Sequence, residues 1–505
     1  VQKVYPLGAC LTLTGAFRTL NGLCKMTPNL LNIKEMYQFK AKLLALLIWA
    51  GCAVSEEPPQ EAARSERPAL AEWQWADGEL PWGAWDESLV GRAQREDKPL
   101  LLYLAAPGCE GLFPAPTPVL RQLVAEQFVS VQIDPFKRPD LARHYDSGGW
   151  PALVVALLDG RVFARAVDIP PANVEPYLRR LHTAYEEKRE VLVAKVQRTA
   201  RPKVEQPVAI DAVYRACAAA FDSVHGGFGG PTKFLETSVL RFLLTYAEAR
   251  GSASARQMAV ASLGAVLASP LGGRGGFRPY SYAPDWSAPA SERDALDQAA
   301  MLHLLLEAGH ARYAESAQAL LGFVESTLFD QAAGVFRGRQ VMADTWWTDP
   351  TLYADRQAAL IRALLAAATT LGDDRVAQVA LQAGDVLLNR CLAGRGRVQH
   401  VCDAEAEGSA GLLVDQALVA LALWELGQWS GEARFTAAAE QVARFMEQSY
   451  DRRAALGPLS HQGPALALQL YERQGRAERV VALAQVPGRA HSAWARALLL
   501  YGPPL

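Results

Sequence analysis

The chain has 505 residues, more than one hydrophobic core organises, so at least two domains are expected. Half of the residues are hydrophobic and 21% are charged, with a formal net charge of -2 and no basic run, which argues against a nucleic-acid partner. The seven cysteines (Cys10, Cys24, Cys52, Cys109, Cys217, Cys391 and Cys402) are too few for a disulfide framework in so long a chain. Cys391 and Cys402 lie close together in a Gly/Arg-rich loop without metal-type spacing and read as buried or incidental thiols. No metal and no cofactor is expected.

Residues 1–35 show no clean periodicity and read as an extension of uncertain role. Over 36–52 a secretory pattern follows: Lys40 and Lys42 as a positive segment, Leu43 to Ala50 as an apolar one, then the small residues Gly51-Cys52-Ala53. Ile48-Trp49-Ala50-Gly51-Cys52 also resembles a bacterial lipobox, in which Cys52 would carry a lipid anchor to the membrane, although Trp49 stands where an aliphatic residue is usual. The apolar run is too short for a spanning helix. Residues 53–72 read as a flexible linker. The expected location is extracytoplasmic, as a membrane-anchored lipoprotein of a bacterial envelope, with translation starting at Met36 or Met26; an amphipathic helix on a cytosolic protein is the alternative.

Residues 73–195 alternate helices and strands. A helix over Asp86–Asp97 stops at Lys98-Pro99, and Leu100 to Leu104 is a short, continuous apolar run typical of a buried strand. A loop containing Cys109 leads to a helix over Pro118–Gln127. A strand over Phe128–Asp134, a short helix over Pro139–Tyr145 and two strands, Ala152–Leu158 and Val162–Val167, come next, the last two joined by an Asp159-Gly160 turn. A long helix over Ala172–Leu192 closes the unit. This order, with a cysteine after the first strand and Trp150-Pro151 before the third, resembles thioredoxin. The resemblance implies a cis bond at Pro151 and a role for Trp150 and Pro151 in meeting a substrate. Thiol-disulfide exchange needs a second sulfur three residues after the first, and Leu112 occupies that place. Cys109 is left either inert or as a single thiol capable of mixed disulfides.

From residue 205 to 505 strands give way to Ala/Leu-rich helices. Asp297-Gln298-Ala299, Asp355-Arg356-Gln357-Ala358 and Asp415-Gln416-Ala417 each open an apolar helix, 58 and 60 residues apart. The loops before them repeat too, with Gly276-Phe277, Gly334-Val335-Phe336 and Gly396-Arg397-Val398. One period fits two helices, and helix starts fall near 208, 236, 255, 292, 312, 352, 374, 412, 432, 460, 477 and 490. Six hairpins point to a closed (α/α)6 toroid, with an open solenoid as the alternative. Asp297, Asp355 and Asp415 read as helix caps or first-turn acids ahead of catalytic groups. Loop residues Tyr280, Tyr282, Asp285 and Trp286, and Asp344, Trp346, Trp347 and Asp349, combine rings with carboxylates as a carbohydrate site does. His400 and His461 stand in loop or helix-start positions without a motif around them.

Together the two parts resemble thioredoxin-domain proteins fused to a six-hairpin helical toroid, the spermatogenesis-associated thioredoxin-like family and its bacterial relatives. The residues that carry this are Leu80-Pro81-Trp82-Gly83, Asp97-Lys98-Pro99, Asp134 with Lys137-Arg138-Pro139-Asp140, and Gly148-Gly149-Trp150-Pro151. Further on they are Gly226 to Gly230 with Lys233-Phe234, and Gly275 to Ser281 with Asp285-Trp286. The resemblance implies an α/β thioredoxin-like domain followed by an all-α, six-hairpin glycosidase-like toroid. Departures fall where chemistry is expected: Cys109-Glu110-Gly111-Leu112-Phe113 replaces the family's Cys-His-Trp-Cys-His, and Ala290 replaces a histidine while Glu292 is kept.

The expected function is a thioredoxin-domain protein of the cell envelope, without dithiol oxidoreductase activity, whose toroid cleft binds a carbohydrate-like ligand. Two alternatives stand beside it. One is a glycosidase- or epimerase-type enzyme using Asp285 and Glu292, with Tyr280, Tyr282, Trp286, Trp346 and Trp347 against the substrate. The other is a monothiol redox protein acting on protein thiols through Cys109.

Overall fold

The computed structural model describes residues 80–449, apart from 87, 108–115, 146–148, 200–208, 273–275, 343–344 and 403–408, together with 466, 469 and 474. The extension, signal and linker with Cys52, the residues Cys109, Leu112, Asp344 and His461, and the helix starts near 460, 477 and 490 lie outside the described residues.

In the first domain the elements run α1 (Leu89–Glu96), β1 (Leu100–Leu104), α2 (Pro118–Gln127), β2 (Val129–Ile133), α3 (Pro139–Tyr145), β3 (Ala152–Ala156), β4 (Val162–Val167) and α4 (Pro171–Thr199). The sheet order is β2-β1-β3-β4, with β1 parallel to β2 and the other pairs antiparallel. The fully buried β1 and β3 read as unbroken apolar runs because both of their faces are covered. Leu101, Tyr103, Leu153 and Val155 face α2 and α4 through Leu120, Val124 and Leu178, whereas Leu100, Leu102 and Val154 face α1 and α3 through Leu89, Leu141 and Tyr145. Thr117 caps α2 by accepting from the Leu120 N–H at 3.1 Å, and Pro118 occupies the first helical position. The fold is thioredoxin-like, and the Trp150-Pro151 bond is cis.

The second domain contains α5 (Ile210–Ala220), α6 (Thr237–Arg250), α7 (Ala253–Ala268), α8 (Ala295–Phe323), α9 (Ala354–Leu371), α10 (Asp374–Val386), α11 (Leu413–Ser430) and α12 (Ala433–Ser449). Short strands punctuate them: β5 (Lys233–Phe234), β6 (Tyr280–Ser281), β7 (Glu292–Asp294), β8 (Phe329–Asp330), β9 (Val335–Phe336), β10 (Arg339–Met342), β11 (Trp346–Thr348), β12 (Leu392–Ala393) and β13 (Arg397–Val398). Helix α8 is two helices merged across Gly309, which has φ 130°. The helices α6, α8, α9 and α11 pack in succession as an inner row, with α7, α10 and α12 each packed against its predecessor outside. Burial explains the division: α9 and α11 are apolar nearly all round, while α10 and α12 bury one stripe.

A glutamine in the first turn of three inner helices ties each to the loop before it. Gln298 accepts from the Phe277 N–H at 2.7 Å and donates to the Phe277 carbonyl at 2.8 Å. Gln357 accepts from the Phe336 N–H at 2.9 Å and donates to the Phe336 carbonyl at 2.5 Å. Gln416 accepts from the Val398 N–H at 2.5 Å and donates to the Gly396 carbonyl at 3.0 Å. The helix-opening repeat and the loop repeat are therefore one device. Each glutamine satisfies two backbone groups that would otherwise be buried without partners.

Cys391 and Cys402 correct the reading of both as thiols: they form a disulfide with Cα atoms 4.6 Å apart. The β12–β13 hairpin turns the chain back, and the Gln399 N–H donates to the Cys391 carbonyl at 2.9 Å, which brings residue 402 alongside.

Replacing Gln357 with Leu orphans both Phe336 backbone groups and is expected to cost roughly 2–4 kcal/mol in urea denaturation. Gln382→Ala, on the exposed face of α10, is expected to stay within about 0.5 kcal/mol of wild type.

Candidate functional site

The strands β7, β10 and β11 form a small sheet in the order β11-β10-β7, β7 leading into the inner helix α8 and β10 and β11 preceding α9. Alternation along the strands divides its side chains between two faces. Registers Arg339↔Asp294, Val341↔Glu292 and Val341↔Trp347 place Glu292, Asp294, Arg339 and Trp347 on one face; Gln340↔Arg293, Gln340↔Thr348 and Met342↔Trp346 place Arg293, Gln340 and Trp346 on the other.

The first face meets the starts of the inner helices, where three buried cations collect carboxylates. Arg339 lies 3.5 Å from Glu292 and 3.7 Å from Asp349, which also accepts from the Tyr353 hydroxyl at 3.1 Å and the Thr351 N–H at 3.0 Å. Arg356 donates to Asp294 at 2.8 Å and to Asp355 at 3.0 Å. His400 places Nδ1 2.9 Å from Asp415 and Nε2 2.7 Å from the Phe136 carbonyl. Both partners of His400 are acceptors, so both ring nitrogens carry protons and the ring is an imidazolium. Burial alone would lower its pKa, but Asp415, with Asp355 behind it, carries it to about 9.

Phe136 belongs to the loop between β2 and α3 of the thioredoxin-like domain. Its ring lies 4.1 Å from the Arg339 guanidinium and 5.3 Å from that of Arg356. Arg339 also donates to the Pro107 carbonyl, at the end of the described segment after β1, at 2.5 Å. Trp150, 42% exposed, packs edge-on against Phe136 at 5.8 Å. The first domain thus docks on the inner-helix starts through the loops at one edge of its sheet. Asp134, two residues before Phe136, has its pKa raised by burial against the pull of Arg339.

Asp297, in the first turn of α8, is pushed up to about 8 by burial, with Asp294 and Glu292 adding repulsion. Asp294 is the residue that caps α8, accepting from the Leu296 N–H at 2.8 Å. Asp355, His400 and Asp415 bring ligand-type atoms within 4.8 Å of one another. Arg356 already occupies Asp355 and both nitrogens of His400 are committed, so this set fits internal ion pairing and does not fit a cation.

The other residues singled out in the sequence are dispersed. Asp285 sits in an exposed turn, accepting from the Ser287 N–H at 3.1 Å and hydroxyl at 2.6 Å, which keeps its pKa low. Glu292 has its pKa raised by burial, Arg339 opposing, and among the described residues shares no hydrogen-bond or ion-pair partner with Asp285. Trp286 corrects its expected place against a substrate: it is 2% exposed, donates to the His225 carbonyl at 3.0 Å, and its ring fills the space where a Cβ on Gly227 would stand. Tyr280 and Tyr282 do come together, with hydroxyls 3.2 Å apart, and Phe234 lies 5.4 Å from Tyr280. Phe234 is 51% and Tyr282 63% exposed, so the three rings form an aromatic ledge on the two-stranded β5–β6 sheet. Sequence reasoning passed over Phe136, Arg339 and Arg356. The one available signal was Arg356, inserted between the Asp and Gln of a repeat that elsewhere reads Asp-Gln-Ala.

The chain is a distant homologue of spermatogenesis-associated protein 20. It is 24% identical to the Homo sapiens protein over 321 residues, covering 55% of this chain and 41% of that one. It is 23% identical to the Rattus norvegicus protein over 306 residues, covering 52% and 39%. The chain thus spans about two-fifths of the length of these relatives. No family model matches it. Its helical region matches six-hairpin toroid structures, among them cellobiose 2-epimerase from Bacillus thermoamylovorans (11% identity, 57% of this chain and 97% of that one, TM-score 0.46). A D-mannose isomerase gives 13% identity, 58% and 95% coverage and a TM-score of 0.47.

The His400 pKa is raised on folding from an ordinary 6.5, so its contribution is complete below about pH 6.5 and disappears as pH rises through about 9. The stability difference between wild type and His400→Asn is expected to shrink over that window by on the order of 3 kcal/mol. Urea denaturation at pH 6, 7.5 and 9.5 measures it, and a difference constant with pH would refute the imidazolium.

Proposed function

We propose that this chain is a ligand-binding protein of a bacterial envelope, in which the thioredoxin-like domain is a docked scaffold and the helical domain presents a carbohydrate-binding surface. The observation that carries the reading is the ledge of Phe234, Tyr280 and Tyr282. Contiguous exposed rings are rare on a soluble surface without a partner, and ring faces with hydroxyl tips suit the mixed apolar and polar faces of a sugar. Leu112 in place of a second sulfur supports the absence of dithiol exchange. The secretory pattern over 36–52 and the Cys391–Cys402 disulfide support an oxidising location, with Cys52 as the lipid attachment point.

One observation favours a second reading, a glycosidase- or epimerase-type enzyme. Burial, with Asp294 and Glu292 adding repulsion, raises the Asp297 pKa, the direction in which a general acid is tuned. In that reading Asp297 takes the acid role and Asp285 has none.

Calorimetry against a panel of neutral oligosaccharides is expected to find a ligand whose affinity falls roughly tenfold or more in Tyr282→Ala. Wild type is expected to show no disulfide reductase activity on insulin. Absence of any glycan binding would overturn the first reading. Turnover of a glycan by wild type, lost in Asp297→Asn with binding retained, would establish the second.

A further inference from the structure

The second face of the small sheet borders a cavity of about 550 Å³ between β7, β10, β11 and the C-terminal half of α8. Arg293, Phe323, Ser326, Thr327, Gln340 and Trp346 line it. The Arg293 guanidinium stacks 4.0 Å from the Trp346 ring centre and 5.3 Å from that of Phe323. A second guanidinium, that of Arg278, lies 5.6 Å from the same Trp346 ring. No ion pair to either arginine is found among the described residues, although the opposite face of the same sheet is rich in carboxylates.

Arg293 is also short of hydrogen bonds. It has five N–H donors. Among the described residues it makes one long contact, from Nη1 to the Gln340 Oε1 at 3.4 Å, and its buried Nε finds no acceptor. Gln340 is itself oriented by donating to the Thr348 hydroxyl at 3.1 Å, so its oxygen is fixed toward the arginine. Burial, with Arg278 adding repulsion, lowers the Arg293 pKa to about 10, which leaves the group cationic at neutral pH. A planar cation that is pre-oriented, half desolvated and uncompensated is completed by an anion with two oxygens.

We propose that this cavity binds a small hydroxylated organic acid, its carboxylate or phosphate held by the Arg293 guanidinium and its body lying against Trp346. The Ser326 and Thr327 hydroxyls, 3.3 Å apart at the rim, supply partners for the ligand's own hydroxyls. The volume suits a monosaccharide-sized acid. This site is distinct from the ledge of Phe234, Tyr280 and Tyr282, and neither depends on the other.

The test is calorimetry on the full chain at low ionic strength with glucuronate, glucose 6-phosphate, inorganic phosphate and glucose. One of the two acidic sugars is expected to bind at least roughly tenfold more tightly than glucose and than inorganic phosphate, weakening as salt is added. Which of the two binds separates a carboxylate from a phosphate site. Arg293→Gln is expected to abolish the preference for acid, and Arg293→Lys, which keeps the charge without the fork, to retain part of it. If Arg293→Gln fails to fold by circular dichroism, Trp346→Leu is read instead, with the acidic sugar weakened roughly tenfold and inorganic phosphate unchanged. Equal binding of inorganic phosphate, an adventitious ion only, would overturn the proposal. So would no binding of either acid, or binding unaffected by Arg293→Gln. Loss of acid binding in Tyr282→Ala would move the ligand to the ledge and refute this site, whereas failure here leaves neutral-glycan binding at the ledge intact.

Discussion

Arg339, Arg356 and His400 are each almost wholly removed from water, and an isolated buried cation costs several kcal/mol. Carboxylates placed at the helix starts offset that cost, and the Phe136 ring and carbonyl complete the set from the other domain. Such a network adds little net stability over a well-packed apolar junction. What it supplies is directionality, because Arg339 and His400 each need an acceptor at one place and in one orientation. The junction between the domains is therefore defined by hydrogen-bond geometry as well as by area.

The small sheet extends that logic. Strand alternation sends Glu292, Asp294 and Arg339 to the junction and Arg293, Gln340 and Trp346 to the opposite side. On the junction side each cation meets an acid. On the cavity side a cation is left with a glutamine oxygen and two rings. Among the described residues Asp294 is ion-paired and its sequence neighbour Arg293 is not, because strand alternation sends them to opposite faces.

Much of this architecture was legible beforehand. β1, β4, α2 and α3 match their expected bounds because breakers flank them and their apolar runs have the right length. The first nine expected helix starts fall within three residues of the helices found, since a period near sixty is a strong signal. The site was less legible, for a physical reason. Asp297, Asp355 and Asp415 were visible as repeated first-turn acids, but His400, which pairs with Asp415, and Arg339 and Phe136, which complete the network, stand outside the repeat and carry no local pattern. The Gln298, Gln357 and Gln416 clamp was visible as spelling only; its meaning required the loops to be seen beside the helices. The disulfide depended likewise on a hairpin too short to announce itself.

The docking geometry bears on the missing sulfur. In this sheet the C-terminal ends of β1 and β2 and the start of the antiparallel β3 lie at one edge. Pro107, Phe136 and Trp150-Pro151 follow or precede those ends, and the first two bind the helical domain directly. A dithiol enzyme needs that edge open, because a substrate sulfur must approach its thiolate in line. Here Arg339, Arg356 and His400 already hold that edge against the inner-helix starts.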